Sequence, residues 1–144
     1  MRRRDTMLEF GIRIPRYWRG KPFRYRLEGF RCEECGEFHF SPRLVCRKCG
    51  GKRLRRDKLS ERGRLICYTV VKSASPSFEA YTPYIVGLIQ TEDGTMIVGQ
   101  LTDCDPEELH EGMDVEATIR RLQTDGESRL IAYGYKFRPA IQRP

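Results

Sequence analysis

The chain has 144 residues, of which 39% are apolar and 33% charged, and its formal net charge is +7. No run of about 18 apolar residues is present to cross a bilayer. No apolar stretch follows the basic Met1-Arg2-Arg3-Arg4, as a secretory leader would require, so the reading is a cytoplasmic protein with reduced thiols and no membrane partner. Charge is unevenly spread: residues 1–64 carry 20 Lys and Arg against 8 Asp and Glu, whereas residues 65–144 carry 7 against 12. A basic half implies an anionic partner, whether nucleic acid, a phosphorylated cofactor or an acidic protein surface.

Taken in chain order, Met1 to Arg4 reads as a solvated tail. From Ile12 to Leu27 the sequence IRIPRYWRGKPFRYRL interleaves Tyr17, Trp18, Phe23 and Tyr25 with basic residues. Pro15 predicts a short helix closed by Gly20, and Pro22 opens a second element. The segment is too aromatic for a disordered tail and too short to bury its own rings. It therefore packs on another surface, either the chain's own ribbon or a partner.

Cys32, Cys35, Cys46 and Cys49 follow in a C-x2-C-x10-C-x2-C pattern, each pair running into glycine at Gly36 or at Gly50-Gly51. Two thiolates separated by two residues turn onto one ion, and glycine supplies the positive φ that aims backbone N–H groups at the sulfurs. Four sulfur ligands make a closed site whose metal, zinc or iron, holds the ribbon together. The competing pattern is a pair of disulfides. Glu37 to Phe40 predicts a strand between the knuckles. His39 is expected to point away from the cysteines by strand alternation. Lys52 to Lys58 reads as a basic, solvated exit.

After Gly63 short β-type runs take over: Leu65–Val71, Tyr84–Gln90, Thr95–Leu101, Met113–Leu122 and Arg129–Phe137. Glu92-Asp93-Gly94 and Asp125-Gly126 supply turns, and Asp105 with Pro106 predicts one capped helical turn. Five short antiparallel strands with a turn before the fourth suit an OB-type barrel, in which closure hides the edges. The fold class expected is thus mainly β, in three parts: an N-terminal helical docking segment (1–29), a zinc ribbon (30–58) and an OB-fold barrel (59–144), with ribbon and barrel having separate cores. Cys67 is expected to be buried by alternation, and Cys104 to be a poor thiolate beside two aspartates.

Ile14-Pro15-Arg16-Tyr17-Trp18-Arg19, Arg24 to Gly29, the two knuckles and Pro42-Arg43 resemble the acyl-CoA-associated family of OB-fold proteins with a rubredoxin-like zinc ribbon. Gly63, Thr69-Val70-Val71, Pro83-Tyr84, Gly99-Gln100-Leu101 and Gly112-Met113-Asp114-Val115 match the barrel of the same family. Ser41-Pro42-Arg43 stands where the family commonly has a double proline, a change in loop stiffness more than in chemistry. The resemblance implies a non-catalytic subunit in a hetero-oligomer with thiolase-fold enzymes. In archaea it joins acetoacetyl-CoA thiolase to HMG-CoA synthase at the entrance to the mevalonate pathway, and bacterial members partner aldolases and hydratases. It implies docking through the N-terminus and ribbon, with the barrel near the CoA sites.

CoA carries phosphates and an adenine ring, and Arg beside Tyr or Trp offers a forked donor and a stacking face. The candidate partner or acyl-CoA residues are Arg16, Tyr17, Trp18, Arg19, Arg24, Tyr25, Arg26, Arg43 and Tyr84. The alternatives are a single-stranded nucleic-acid-binding protein, which the acidic barrel half and its lack of an evident basic stripe disfavour, and electron transfer by iron in the ribbon. No catalytic set is visible.

Overall fold

The computed structural model describes residues 14–40, 42–76, 78–124 and 130–141. The basic tail 1–4 and the predicted turn at Asp125-Gly126 lie outside the described residues. Two six-residue helices come first, α1 (Ile14–Arg19) and α2 (Lys21–Arg26), with Pro22 in the first turn of α2 as expected. Helix α2 stops at Leu27, whose φ of 52° is left-handed and whose N–H returns to the Pro22 carbonyl. An L-residue in that conformation costs about 1 kcal/mol. Burial offsets the cost: Leu27 is 1% exposed, and its carbonyl accepts the Leu59 N–H at 3.1 Å.

Strands β1 (Glu28–Cys32), β2 (Phe38–His39) and β3 (Leu54–Lys58) form an antiparallel sheet in the order β2-β1-β3. The supposed solvated exit is therefore a strand, paired with β1 from Glu28↔Lys58 to Cys32↔Leu54. Its charges are tolerated because β3 is an edge strand. Arg31 on β1 also holds Asp57 at 2.5 Å and keeps that carboxyl below the usual range.

Strands β4 (Arg62–Val71), β5 (Tyr84–Thr91), β6 (Met96–Leu101), β7 (Asp114–Thr124) and β8 (Ile131–Pro139) close into a barrel in the order β4-β5-β6-β8-β7. Alternation sends Ile85, Gly87, Ile89 and Thr91 of β5 and Ile97, Gly99 and Leu101 of β6 inward. The β5–β6 hairpin turns at Gly94 with φ 77°. Asp105 and Glu108 cap the short 3-10 turn Pro106–Glu108 reciprocally. No helix among the described residues is long and apolar enough to cross a membrane.

Two expectations are corrected. Cys67 is exposed, because a bulge between Leu65 and Cys67 advances the phase of β4 by one residue: Leu65 still faces Ile89, but Cys67 falls opposite Leu88. The cores are not separate either. Leu27 and Phe38 belong to the same apolar cluster as Leu59, Leu65, Ile89 and Phe137, and the Phe40 ring meets Tyr135 edge-on at 5.5 Å.

At Gly63 of β4 an added Cβ would fall against the Gln90 carbonyl oxygen and the Ile89 side chain. Backbone blocks it, so no rotamer change relieves the clash. Gly63→Ala should destabilise the protein by about 1–3 kcal/mol, seen as a lower midpoint in denaturant unfolding.

Candidate metal centre and docking surface

The metal centre is assembled by two matching turns. Gly36 and Gly50, at φ 73° and 75°, donate their N–H groups to the Cys32 and Cys46 carbonyls at 2.9 and 3.1 Å. Each knuckle thereby bends back so that both of its sulfurs face the other pair. The Lys48 N–H then points at Cys46 Sγ and the Gly51 N–H at Cys49 Sγ, both at 3.4 Å. All six cysteines are free thiols, so the disulfide pattern is not adopted.

The four sulfurs lie within 4.8 Å of one another, with Cys32–Cys49 at 3.6 Å and Cys35–Cys46 at 3.5 Å. A tetrahedral ion with metal–sulfur bonds of about 2.3 Å needs sulfur–sulfur edges of about 3.8 Å. The donor set therefore fits one thiolate-bound tetrahedral ion with no open position. The Cys49 N–H, followed by His39, the Lys48 N–H and Cys35, lowers the Cys46 thiol to about 5. The Gly51 N–H also lowers Cys49, but its bonds to the other sulfurs together with burial overcome this and push it up to about 12. Four thiols packed this closely share protons, and an ion that displaces them removes the conflict.

His39 departs from expectation. It does not turn away: it is 7% exposed with Nε2 3.3 Å from Cys46 Sγ. Alternation was the wrong guide because Cys46 comes from the second knuckle, which folds over a strand only two residues long. A metal-bound thiolate can only accept, so the ring donates Nε2–H and orients Cys46 from outside the ligand set. The Phe-His-Phe run between the knuckles was the available signal. Cys104 is half-buried, and burial with Glu108, Asp103 and Asp105 pushes its thiol up as expected.

The N-terminal helices sit on the barrel. The Tyr17 hydroxyl accepts the Tyr133 N–H and donates to the Tyr133 carbonyl, while an added Cβ at Gly134 would meet Leu122 and the Arg24 carbonyl. Burial and the adjacent Tyr25 hydroxyl push Tyr17 up to about 12, so it stays a neutral phenol. Arg24 stacks over the Tyr17 ring at 4.6 Å. Trp18 points outward, 69% exposed, with Lys21 Nζ 4.8 Å above its ring. Arg16, Arg19 and Arg26 of the same helix pair are exposed as well. The structure thus gathers seven of the candidate contact residues on one helix pair. Arg43 lies apart in the ribbon, lining a depression with Phe38, His39 and Phe40. Tyr84 opens β5, its ring 6.3 Å from that of Phe78.

The family model for the ChsH2 rubredoxin-like zinc ribbon domain matches residues 24–55, and that for the ChsH2 C-terminal OB-fold domain matches residues 57–120. A protein of Methanocaldococcus jannaschii described as a DUF35 domain-containing scaffold protein is 43% identical over 127 residues, covering 88% of this chain and 90% of that one. One of the same description from Pyrococcus furiosus is 41% identical, covering 91% and 96%. A solved structure described as Ltp2-ChsH2(DUF35) aldolase superimposes with a TM-score of 0.62 at 29% identity, covering 81% of this chain and 86% of that one. Fold and cysteine centre together define an OB-fold protein carrying a rubredoxin-like zinc ribbon. The chain belongs to the family of DUF35 domain-containing scaffold proteins.

Removing the His39 donor should weaken metal retention. His39→Ala is expected to lose zinc to a chromophoric chelator about tenfold more readily, with His39→Gln intermediate. Because Leu27 and Phe38 share the barrel's apolar cluster, stripping the metal should also lower the melting temperature of the barrel strands, measured by circular dichroism with and without chelator.

Proposed function

We propose that this chain is a non-catalytic scaffold subunit with zinc in its ribbon, which docks on thiolase-fold enzymes and assists acyl-CoA transfer between them. Acetoacetyl-CoA thiolase and HMG-CoA synthase are the pair proposed. The observation that carries the reading is the exposed Trp18 on a helix pair fixed to the barrel through Tyr17. A large aromatic exposed to solvent against Lys21, on a helix that also carries exposed Arg16 and Arg19, has the composition of an interface anchor. The rigid mount lowers the ordering cost of binding.

Several likenesses support the class of partner. The relatives with high coverage are described as scaffold proteins, and the solved structure is described as an aldolase containing ChsH2. A Thermomonospora curvata protein described as a probable enoyl-CoA hydratase alpha subunit is 29% identical over 126 residues, which is 37% of its length. The two histidines also favour a non-catalytic role: His39 is committed to Cys46, and His110 is exposed next to the turn at Glu111-Gly112. In this reading the three proposed parts divide the work. The helical segment (1–29) docks, the ribbon (30–58) sets its angle, and the barrel (59–144) lies beside the transferred thioester.

The test is affinity capture of the tagged chain from native extract followed by mass spectrometry. A thiolase-fold enzyme should co-purify in stoichiometric amount, and recovery of the chain alone would overturn the proposal. Trp18→Ala should reduce recovery of that enzyme by about tenfold or more while the barrel's circular dichroism is unchanged.

A further inference from the structure

The ribbon sheet is open on one side. In the order β2-β1-β3 strand β3 pairs with β1 alone, and two hydrogen bonds fix which of its backbone groups that pairing uses. The Glu33 N–H goes to the Arg53 carbonyl and the Leu59 N–H to the Leu27 carbonyl, both at 3.1 Å. Residues 53, 55, 57 and 59 therefore turn their N–H and C=O groups to β1, while Leu54, Arg56 and Lys58 turn theirs to the outer edge. Lys58 is closed off locally, because its N–H donates to Asp57 Oδ1 at 2.9 Å. What stays open is a window of backbone donors and acceptors at Leu54 and Arg56, without a partner among the described residues.

The side chains that frame this window are cationic. Arg55 and Arg56 are exposed, as is Lys52 just before the strand, and among the described residues none of the three forms an ion pair. The neighbouring acids are already engaged: Glu34 with Arg53, Asp57 with Arg31, Glu61 with Lys58 and Glu28 with Arg26. Glu33, across the ladder from Arg53, is the remaining acid at this end of the sheet.

Register adds a conflict. Arg55 stands directly opposite Arg31, and Arg31 commits its guanidinium to Asp57 at 2.5 Å. Like charges facing each other across a ladder destabilise the pair, and an anion beside Arg55 would relieve it. Arg56 lies on the other face, opposite Phe30. The two free guanidiniums thus flank the open edge from both faces of the sheet.

We infer that the outer edge of β3 accepts an acidic segment of a partner protein in extended conformation, added to the ribbon sheet as a further strand. The backbone of that segment meets the groups of Leu54 and Arg56, and its carboxylates reach Arg55 on one face and Arg56 on the other. Nucleic acid suits the edge less well, because a phosphate backbone accepts hydrogen bonds but has none to give to the Leu54 and Arg56 carbonyls. A second copy of this chain is disfavoured as well, since a basic edge repels its own kind. The site uses no residue of the helix pair and does not rest on the scaffold reading.

The test is a titration of the zinc-loaded full chain at low salt with a short blocked peptide alternating Glu with Val, followed by backbone amide resonances and their exchange with solvent. Shifts should centre on residues 52–58, and the Leu54 and Arg56 amides should become protected. The same peptide N-methylated throughout keeps its charge but loses its donors, and should bind about tenfold or more weakly. Arg55→Glu should weaken binding of the unmodified peptide about tenfold, with zinc content unchanged. Absence of binding, equal binding of the N-methylated peptide, full binding by Arg55→Glu, or shifts confined to the N-terminal helices would overturn the inference. So would displacement of the peptide by a thymidine oligonucleotide with a steep salt dependence, which would assign the edge to nucleic acid.

Discussion

The architecture depends on one apolar seam. Leu27 leaves the second helix in a left-handed conformation, Phe38 drops from the ribbon, and Leu59 begins the approach to the barrel; the three are buried in one cluster with Leu65, Ile89 and Phe137. Each contributes about 1.5–3 kcal/mol of burial, enough to outweigh the strained backbone at Leu27. Without the seam, a small metal ribbon and a five-stranded barrel would be two modules on a tether. With it, the direction in which Trp18 points is set by the barrel.

Local features were readable in the sequence and relational ones were not. The cysteine knuckles, the proline-started helices, the Asp105 cap and the five barrel strands each depend on residues a few positions apart, and the sequence shows them directly. Strand β3 escaped because Leu-Arg-Arg-Asp-Lys has no apolar alternation; its strand character comes from pairing with β1 and from the Arg31–Asp57 ion pair. Cys67 was misplaced by a bulge, which leaves no mark in a period-two pattern. His39 was misjudged because its partner arrives from a second loop. The ion pair of Arg138 with Glu116 becomes visible only when the register of β7 against β8 is known.

The chain divides its polar chemistry among three places. The ribbon uses sulfur and backbone N–H groups to fix geometry. The helix pair directs part of its polar chemistry inward, where Tyr17, Tyr25 and Arg24 secure it, and leaves Trp18 and three arginines facing out. The barrel, whose half of the sequence is acidic in total, pairs its charges across elements, Arg138 with Glu116 and Arg120 with Asp103.

The way the barrel closes has its own consequence. Between β6 and β8 the described residues form the single bridge pair Leu101↔Phe137, supported by the Thr102 N–H to the Phe137 carbonyl at 2.8 Å. Elsewhere along this junction aromatic groups take over: the Phe137 ring lies where a Cβ on Gly99 would go, and the Tyr135 hydroxyl reaches the Val98 carbonyl at 3.5 Å. A cylinder joined on one side mainly by ring packing instead of a full ladder has a built-in line of weakness. Amide protons beside it will exchange with solvent sooner than those of the β4–β5 and β7–β8 ladders.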